Sequence, residues 1–115
     1  MVLATGTVLF GDDLEPFDGA TVYVRLEEVS RLDAPARLVT EQVLRGMRAG
    51  SDAREIPFVL ESARLDPRGS YSIRVHVDVD GDGEVSVGDY VSTRSYRVPP
   101  AGDLAAVAIP VRRVG

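Results

Sequence analysis

The 115-residue sequence contains no cysteine, tryptophan, lysine or asparagine. Because cysteine is absent, the sequence excludes disulfide bonds, thiol catalysis and metal sites built from thiolates. All 13 basic residues are arginines scattered along the chain, and the formal net charge is −5, so no nucleic-acid-binding patch is expected. No apolar run is long enough for membrane insertion, and residues 1–6 lack the basic start and long apolar region of a signal peptide.

Hydrophobic residues make up 44% of the sequence, which is ordinary for a soluble globular protein and argues against disorder. The length predicts a single domain over residues 1–115. The sequence leaves the compartment open: the envelope or periplasm if a signal segment has been removed, and otherwise the cytoplasm. The oligomeric state is equally open.

Alternation of apolar and polar residues with a period of two dominates the chain, for example over residues 22–27 and 73–78, and is typical of half-buried strands. Turn residues separate seven predicted strands, near 3–10, 20–29, 37–46, 55–61, 70–78, 89–98 and 104–113. Residues 34–48 could instead form a short helix, but their neighbours are all strands, which favours a strand. The pattern predicts an all-β fold, specifically a seven-stranded, Ig-like β-sandwich with Greek-key connections.

The segment from Asp78 to Asp89 has the spacing of an EF-hand calcium loop, although it joins two strands and not two helices. Acidic residues stand at loop positions 1, 3, 5 and 12, and Gly83 stands at position 6, where the chain must turn sharply. Calcium prefers six to eight oxygen ligands, which alternate residues of a tightly curled loop can provide. The predicted ligands are the side chains of Asp78, Asp80, Asp82 and Asp89, the backbone carbonyl of Glu84, and Ser86 or a water that it holds.

The same loop explains the net charge of the chain. It holds five acids and no base, and the remaining residues comprise 13 acids and 13 arginines. The alternative to a calcium loop is a solvated acidic turn. A long hairpin tip has no helices whose angle an ion could change, so calcium is expected to stabilise the loop and not to switch the protein.

Other candidate sites are weaker. His76, the only histidine, is predicted to lie on the solvated face of its strand with Arg74, so its substitution is expected to change stability little. A second acidic group, near residues 12–18, lacks regular ligand spacing and is interpreted as a solvated loop. No serine lies in a nucleophile motif and no second histidine is present, so no catalytic residues are assigned.

Three motifs occur in a fixed order between residues 20 and 80. They are Leu26-Glu-Glu-Val29-Ser30-Arg31-Leu-Asp33-Ala34-Pro35, then Ile56-Pro57-Phe58, then Leu65-Asp66-Pro67 leading into Tyr71. They resemble motifs of the YbaY-like family, which includes the lipoprotein chaperones (pilotins) of type III secretion. The resemblance implies a compact β-sandwich, a chaperone-like role at the outer membrane and no catalytic residues. From the residues alone, Ser30 and Asp33 are suited to capping a turn, and Phe58 and Tyr71 are predicted core aromatics.

The sequence therefore favours a non-enzymatic, calcium-stabilised binding or chaperone-like module of the bacterial envelope, whose partner is another protein. Two alternatives remain. One is a calcium-dependent enzyme acting on phosphate or sugar substrates, although a complete ligand set leaves few open positions on the ion. The other is a carbohydrate-binding or adhesion module, for which Tyr23, Tyr90 and Tyr96 could provide a stacking platform.

Overall fold

The computed structural model describes residues 1–30 and 34–115, so Asp33 of the predicted turn cap lies outside the described residues. The all-β prediction is confirmed. The strands are β1 (Val2–Phe10), β2 (Phe17–Glu28), β3 (Arg37–Ala49), β4 (Glu55–Glu61), β5 (Tyr71–Asp78), β6 (Tyr90–Ser92), β7 (Tyr96–Val98) and β8 (Leu104–Arg113). No helix long and apolar enough to cross a membrane occurs within the described ranges.

The strands form one continuous sheet and not the two packed sheets of the predicted Ig-like sandwich. Its order is β3-β2-β5-β6-β8-β1-β4, and β7 pairs with β5. The pairs are antiparallel except β1 with β8, which are parallel. The long strands β2 and β3 are irregular in register at several points, and such bulges curve a sheet enough for it to wrap round its own core.

The two edge strands meet through side chains, which makes the sheet nearly closed and barrel-like. The Thr40 hydroxyl on β3 donates to the Glu61 carbonyl on β4 at 3.0 Å, and the Val59 N–H on β4 donates to Gln42 Oε1 at 2.8 Å. These bonds satisfy edge groups that an open sheet would leave to water. The seam explains why the sandwich prediction failed, since alternation specifies a buried face but not how a sheet closes.

Inward-facing aliphatic side chains fill the interior, as the alternation predicts. Those at most 1% exposed include Val8, Val22, Val24, Leu26, Ile73, Val75, Val77 and Ile109. The predicted core aromatics Phe58 and Tyr71 are buried as well. An aromatic cluster packs Phe10, Phe17 and Tyr90 with ring centroids 5.2–5.8 Å apart.

Two predictions about individual strands have different outcomes. Residues 37–49 form a strand, so the helical alternative for 34–48 is wrong. The predicted strand 89–98 is instead two short strands separated by residues 93–95. Serine hydroxyls accept hydrogen bonds from the backbone at this break. The Val75 N–H donates to Ser92 Oγ at 2.9 Å, and the Tyr96 N–H donates to Ser72 Oγ at 3.2 Å.

Turn chemistry agrees with the sequence motifs. Ser30 Oγ accepts the Ser70 N–H at 2.8 Å and so caps the turn into β5. Asp66 Oδ1 accepts the Arg68 N–H at 2.9 Å, and this backbone bond lowers the pKa of the Asp66 carboxyl below its ordinary value. The Tyr71 hydroxyl donates to the Asp66 carbonyl at 3.1 Å. The turn before β5 is therefore held from both ends.

Candidate functional site

The acidic loop connects β5 to β6, which are antiparallel neighbours, so it forms the tip of a long hairpin as predicted. Gly81, Gly83 and Gly88 have φ values of 76°, 80° and 96°, a region that residues with a Cβ avoid. The C-terminal segment fastens the far end of the loop, because the Gly88 N–H donates to Val114 O and the Val114 N–H donates to Asp89 O. The loop can therefore curl tightly on a fixed base.

Two carboxylates at the ends of the loop are almost completely buried: Asp78 is 1% exposed and Asp89 is 0% exposed. Asp78 accepts the backbone N–H groups of Gly81 at 3.0 Å and Gly83 at 2.9 Å. Asp89 Oδ1 accepts the Val79 N–H at 2.9 Å. Burial of a carboxylate without hydrogen bonds costs much free energy. The loop therefore folds so that its backbone N–H groups donate to both carboxylates.

The acidic side chains converge. Asp78, Asp80, Asp82 and Asp89 each offer one oxygen, and these four oxygens all lie within 4.8 Å of one another. Oxygens that ligate one calcium ion at 2.3–2.6 Å lie within about 5 Å of each other, so the spacing suits such an ion. Four predicted ligand residues that are separate in sequence are thus neighbours in space.

The other two predicted ligand residues also belong to this network. The Ser86 hydroxyl donates to Asp80 Oδ2 at 2.8 Å, and this bond is the main cause of the lowered pKa of the Asp80 carboxyl. The Ser86 N–H donates to Asp89 Oδ2 at 3.2 Å. The Glu84 N–H donates to Asp82 Oδ1 at 3.0 Å, while the Glu84 residue itself is exposed.

His76 is where the sequence analysis was wrong. It lies on the outward side of β5, as predicted, but it is only 3% exposed and not solvated. The Tyr23 ring, directly opposite on β2, stacks on the imidazole with centroids 5.8 Å apart. Nε2 of His76 lies 2.8 Å from Asp89 Oδ2, so the imidazole is a direct partner of a predicted metal ligand. The local sequence around His76 does not signal this burial, because the pairing with Tyr23 depends on which strands become neighbours.

The remaining candidates do not form sites. Asp13, in the acidic group at residues 12–18, accepts the Arg113 N–H at 2.9 Å and fastens the β1–β2 connection to the end of β8. Tyr90 belongs to the core, where its hydroxyl accepts the Glu15 N–H at 2.8 Å, so the three tyrosines do not share an exposed platform. Within residues 1–30 and 34–115, Asp89 is the hydrogen-bond partner of the His76 ring.

Comparison with known proteins assigns the family. Residues 1–94 match the family model of the type III secretion system lipoprotein chaperone (YscW). The chain belongs to this family. The matched range contains all three motifs that resembled the pilotins. The predicted resemblance to this family is thereby confirmed.

A solved structure supports the fold. The structure of an alternative pilotin from the type II secretion system of Vibrio cholerae resembles this chain with a TM-score of 0.65 and 24% sequence identity. The alignment covers 96% of each chain, so the two proteins share the fold over nearly their whole length. No curated protein sequence matches the chain.

Proposed function

We propose that this chain is a non-enzymatic chaperone-like module that binds another protein of a bacterial secretion system at the cell envelope. The observation that carries the proposal is the match to the secretion chaperone family over residues 1–94. The whole-length likeness to a pilotin supports it at the level of fold.

Partner stabilisation tests the proposal. The tagged chain is crosslinked to its neighbours in the envelope fraction of its source bacterium. Each captured protein is then expressed alone and together with the chain. A chaperone role predicts that the soluble yield of one captured secretion protein rises on co-expression. If every captured protein accumulates equally well without the chain, the proposed role is wrong.

We also propose that the hairpin loop binds calcium through Asp78, Asp80, Asp82 and Asp89, the carbonyl of Glu84, and Ser86. Support comes from the four mutually close carboxylate oxygens and from the glycines that allow the tight curl. His76 holds Asp89 in place, as the outer hydrogen-bond partners of metal-ligating carboxylates commonly do. The ion would neutralise a loop that carries five acids and no base.

Titration calorimetry on chelator-treated protein tests the calcium proposal. We expect a dissociation constant on the order of 10⁻⁶–10⁻³ M, the range of sensor and extracellular calcium sites. Asp80→Ala should abolish the heat of binding and leave the protein folded, because Asp80 is exposed. Magnesium should bind poorly, since it requires near-octahedral geometry at about 2.1 Å and holds its waters tightly. A flat calcium trace at millimolar concentration would refute the site.

A further inference from the structure

A cleft of about 520 Å³ lies on the outer face of the sheet, beside the hairpin loop. Its floor is the outward side of β5, and one wall is the break between β6 and β7 at residues 93–95. Val85 of the loop forms part of its apolar lining, together with Val29 and Val91. Neither the family match nor the calcium proposal accounts for this surface.

The charge of the cleft is opposite to that of the chain. Among its described lining residues are the arginines Arg25, Arg74 and Arg94 and a single acid, Glu27, which gives a formal charge of +2. Glu41, the ion-pair partner of Arg25 outside the lining, reduces this to +1. The whole chain carries −5. A positively charged cleft on an acidic protein favours an anionic ligand, and the favourable interaction weakens as salt rises.

Two of these arginines face each other directly. Arg25 on β2 and Arg74 on β5 are paired in register across the two strands, and like charges in that position are destabilising. Each arginine forms an ion pair through its Nε atom. Arg25 pairs with Glu41 at 3.0 Å, and Arg74 pairs with Glu27 at 3.4 Å. Among the described contacts, neither guanidinium uses its Nη donors in a hydrogen bond, so both can donate to a further carboxylate.

We infer that this cleft binds an acidic, valine-like segment of the partner protein, with carboxylates on Arg25 and Arg74 and apolar side chains against Val85 and Val91. The inference rests on the proposed protein-binding role and names the chemistry of the bound segment. Arginines interleaved with aliphatic residues suit such a peptide. A single-stranded nucleic acid is the less suitable anion, because base stacking needs an open aromatic face and His76 and Arg25 contact the Tyr23 ring.

Fluorescence anisotropy with defined probes tests the cleft. The probes are a labelled Glu-Val-Glu-Val-Glu peptide, its Arg-Val-Arg-Val-Arg counterpart and an oligothymidylate. The acidic peptide should bind in a salt-dependent manner, and Arg74→Glu should weaken binding by about tenfold or more, as expected when a charge pair is reversed. Arg45→Glu is the matched control, because Arg45 is exposed on β3 and does not line the cleft.

Four results would overturn the inference: no binding of the acidic peptide, equal binding of both peptides, an oligothymidylate that binds as tightly as the acidic peptide, or equal losses in Arg74→Glu and Arg45→Glu. Circular dichroism and thermal melting of both variants ensure that the comparison is made on folded protein. The co-expression assay distinguishes the two proposals. If the chain still raises its partner's yield while the acidic peptide does not bind, the cleft inference fails and the chaperone role stands.

Discussion

At the scale of single residues, His76 shows how burial can differ from what alternation predicts. Its strand face is outward, but the stacked Tyr23 ring and the adjoining loop exclude water from the imidazole. Asp89 is completely buried and accepts hydrogen bonds from Val79 and Ser86 while lying 2.8 Å from His76 Nε2. Replacing this histidine is therefore no longer expected to be neutral.

Substitution at His76 separates its hydrogen bond from its stacking. His76→Phe keeps a ring against Tyr23 but removes the nitrogen that faces Asp89, which should cost about 1–3 kcal/mol of stability, the penalty of an under-satisfied buried polar group. His76→Gln retains a polar donor and should cost less. Urea unfolding in the presence of chelator measures both values. If both variants lie within about 0.5 kcal/mol of the original protein, the pairing with Asp89 contributes nothing to stability.

Gly6 determines how closely β1 and β8 can approach. A Cβ at this position would overlap the backbone oxygen of Val107, and backbone cannot move aside as a flexible side chain can. Gly6→Ala should therefore destabilise the fold by about 1–3 kcal/mol or more, as overpacking does. Gly11→Ala is the matched control, because the nearest atom to its Cβ is 3.9 Å away. Equal thermal melting of the two variants would contradict the close approach.

At the scale of elements, the hairpin loop should be stabilised by calcium without controlling the sheet. Its flanking strands pair in register, His76 with Val91 and Val77 with Tyr90, so backbone hydrogen bonds of the sheet hold the base of the loop. Removing calcium should loosen residues 79–88 and leave 22–26 protected. At a hundredfold excess over the dissociation constant, the ion should add about 2.7 kcal/mol of stability by mass action.

Hydrogen exchange with and without calcium measures this difference, and Asp80→Ala should behave in calcium as the original protein behaves in chelator. Loss of protection in distant strands on chelation would show that calcium governs a global state. Unchanged protection everywhere, the loop included, would show instead that no ion stabilises the hairpin.

At the scale of the whole molecule, the seam between β3 and β4 closes the sheet through side chains. Gln42→Ala should accelerate amide exchange at Val59, whose N–H donates to Gln42 Oε1, and should cost about 1 kcal/mol, the net value of one hydrogen bond. Gln42→Glu is the control that keeps an acceptor oxygen and should preserve the protection. If Val59 exchanges at the same rate in all three proteins, the Gln42 hydrogen bond does not hold the seam.

Local sequence patterns were sufficient to predict where most strands lie and which acidic residues come together in the hairpin loop. Period-two alternation marks residues that share a face whatever the sheet does next. Six of the seven predicted segments therefore lie near the observed bounds, and the seventh, 89–98, is divided into two short strands. Loop spacing likewise brings Asp78, Asp80 and Asp82 together, because alternate residues of a curled segment point the same way. Turn residues such as Ser30 and Asp66 act on immediate neighbours in space and were also readable.

Tertiary structure alone decided how the sheet closes, that His76 is buried and that Arg25 faces Arg74. Each depends on which strands become neighbours, and residues 25 and 74 belong to strands far apart in sequence that only the fold places side by side. The parallel pairing of β1 with β8 and the seam at Gln42 bring together similarly distant segments. Local sequence patterns specify a strand's two faces, whereas long-range packing determines what covers each face.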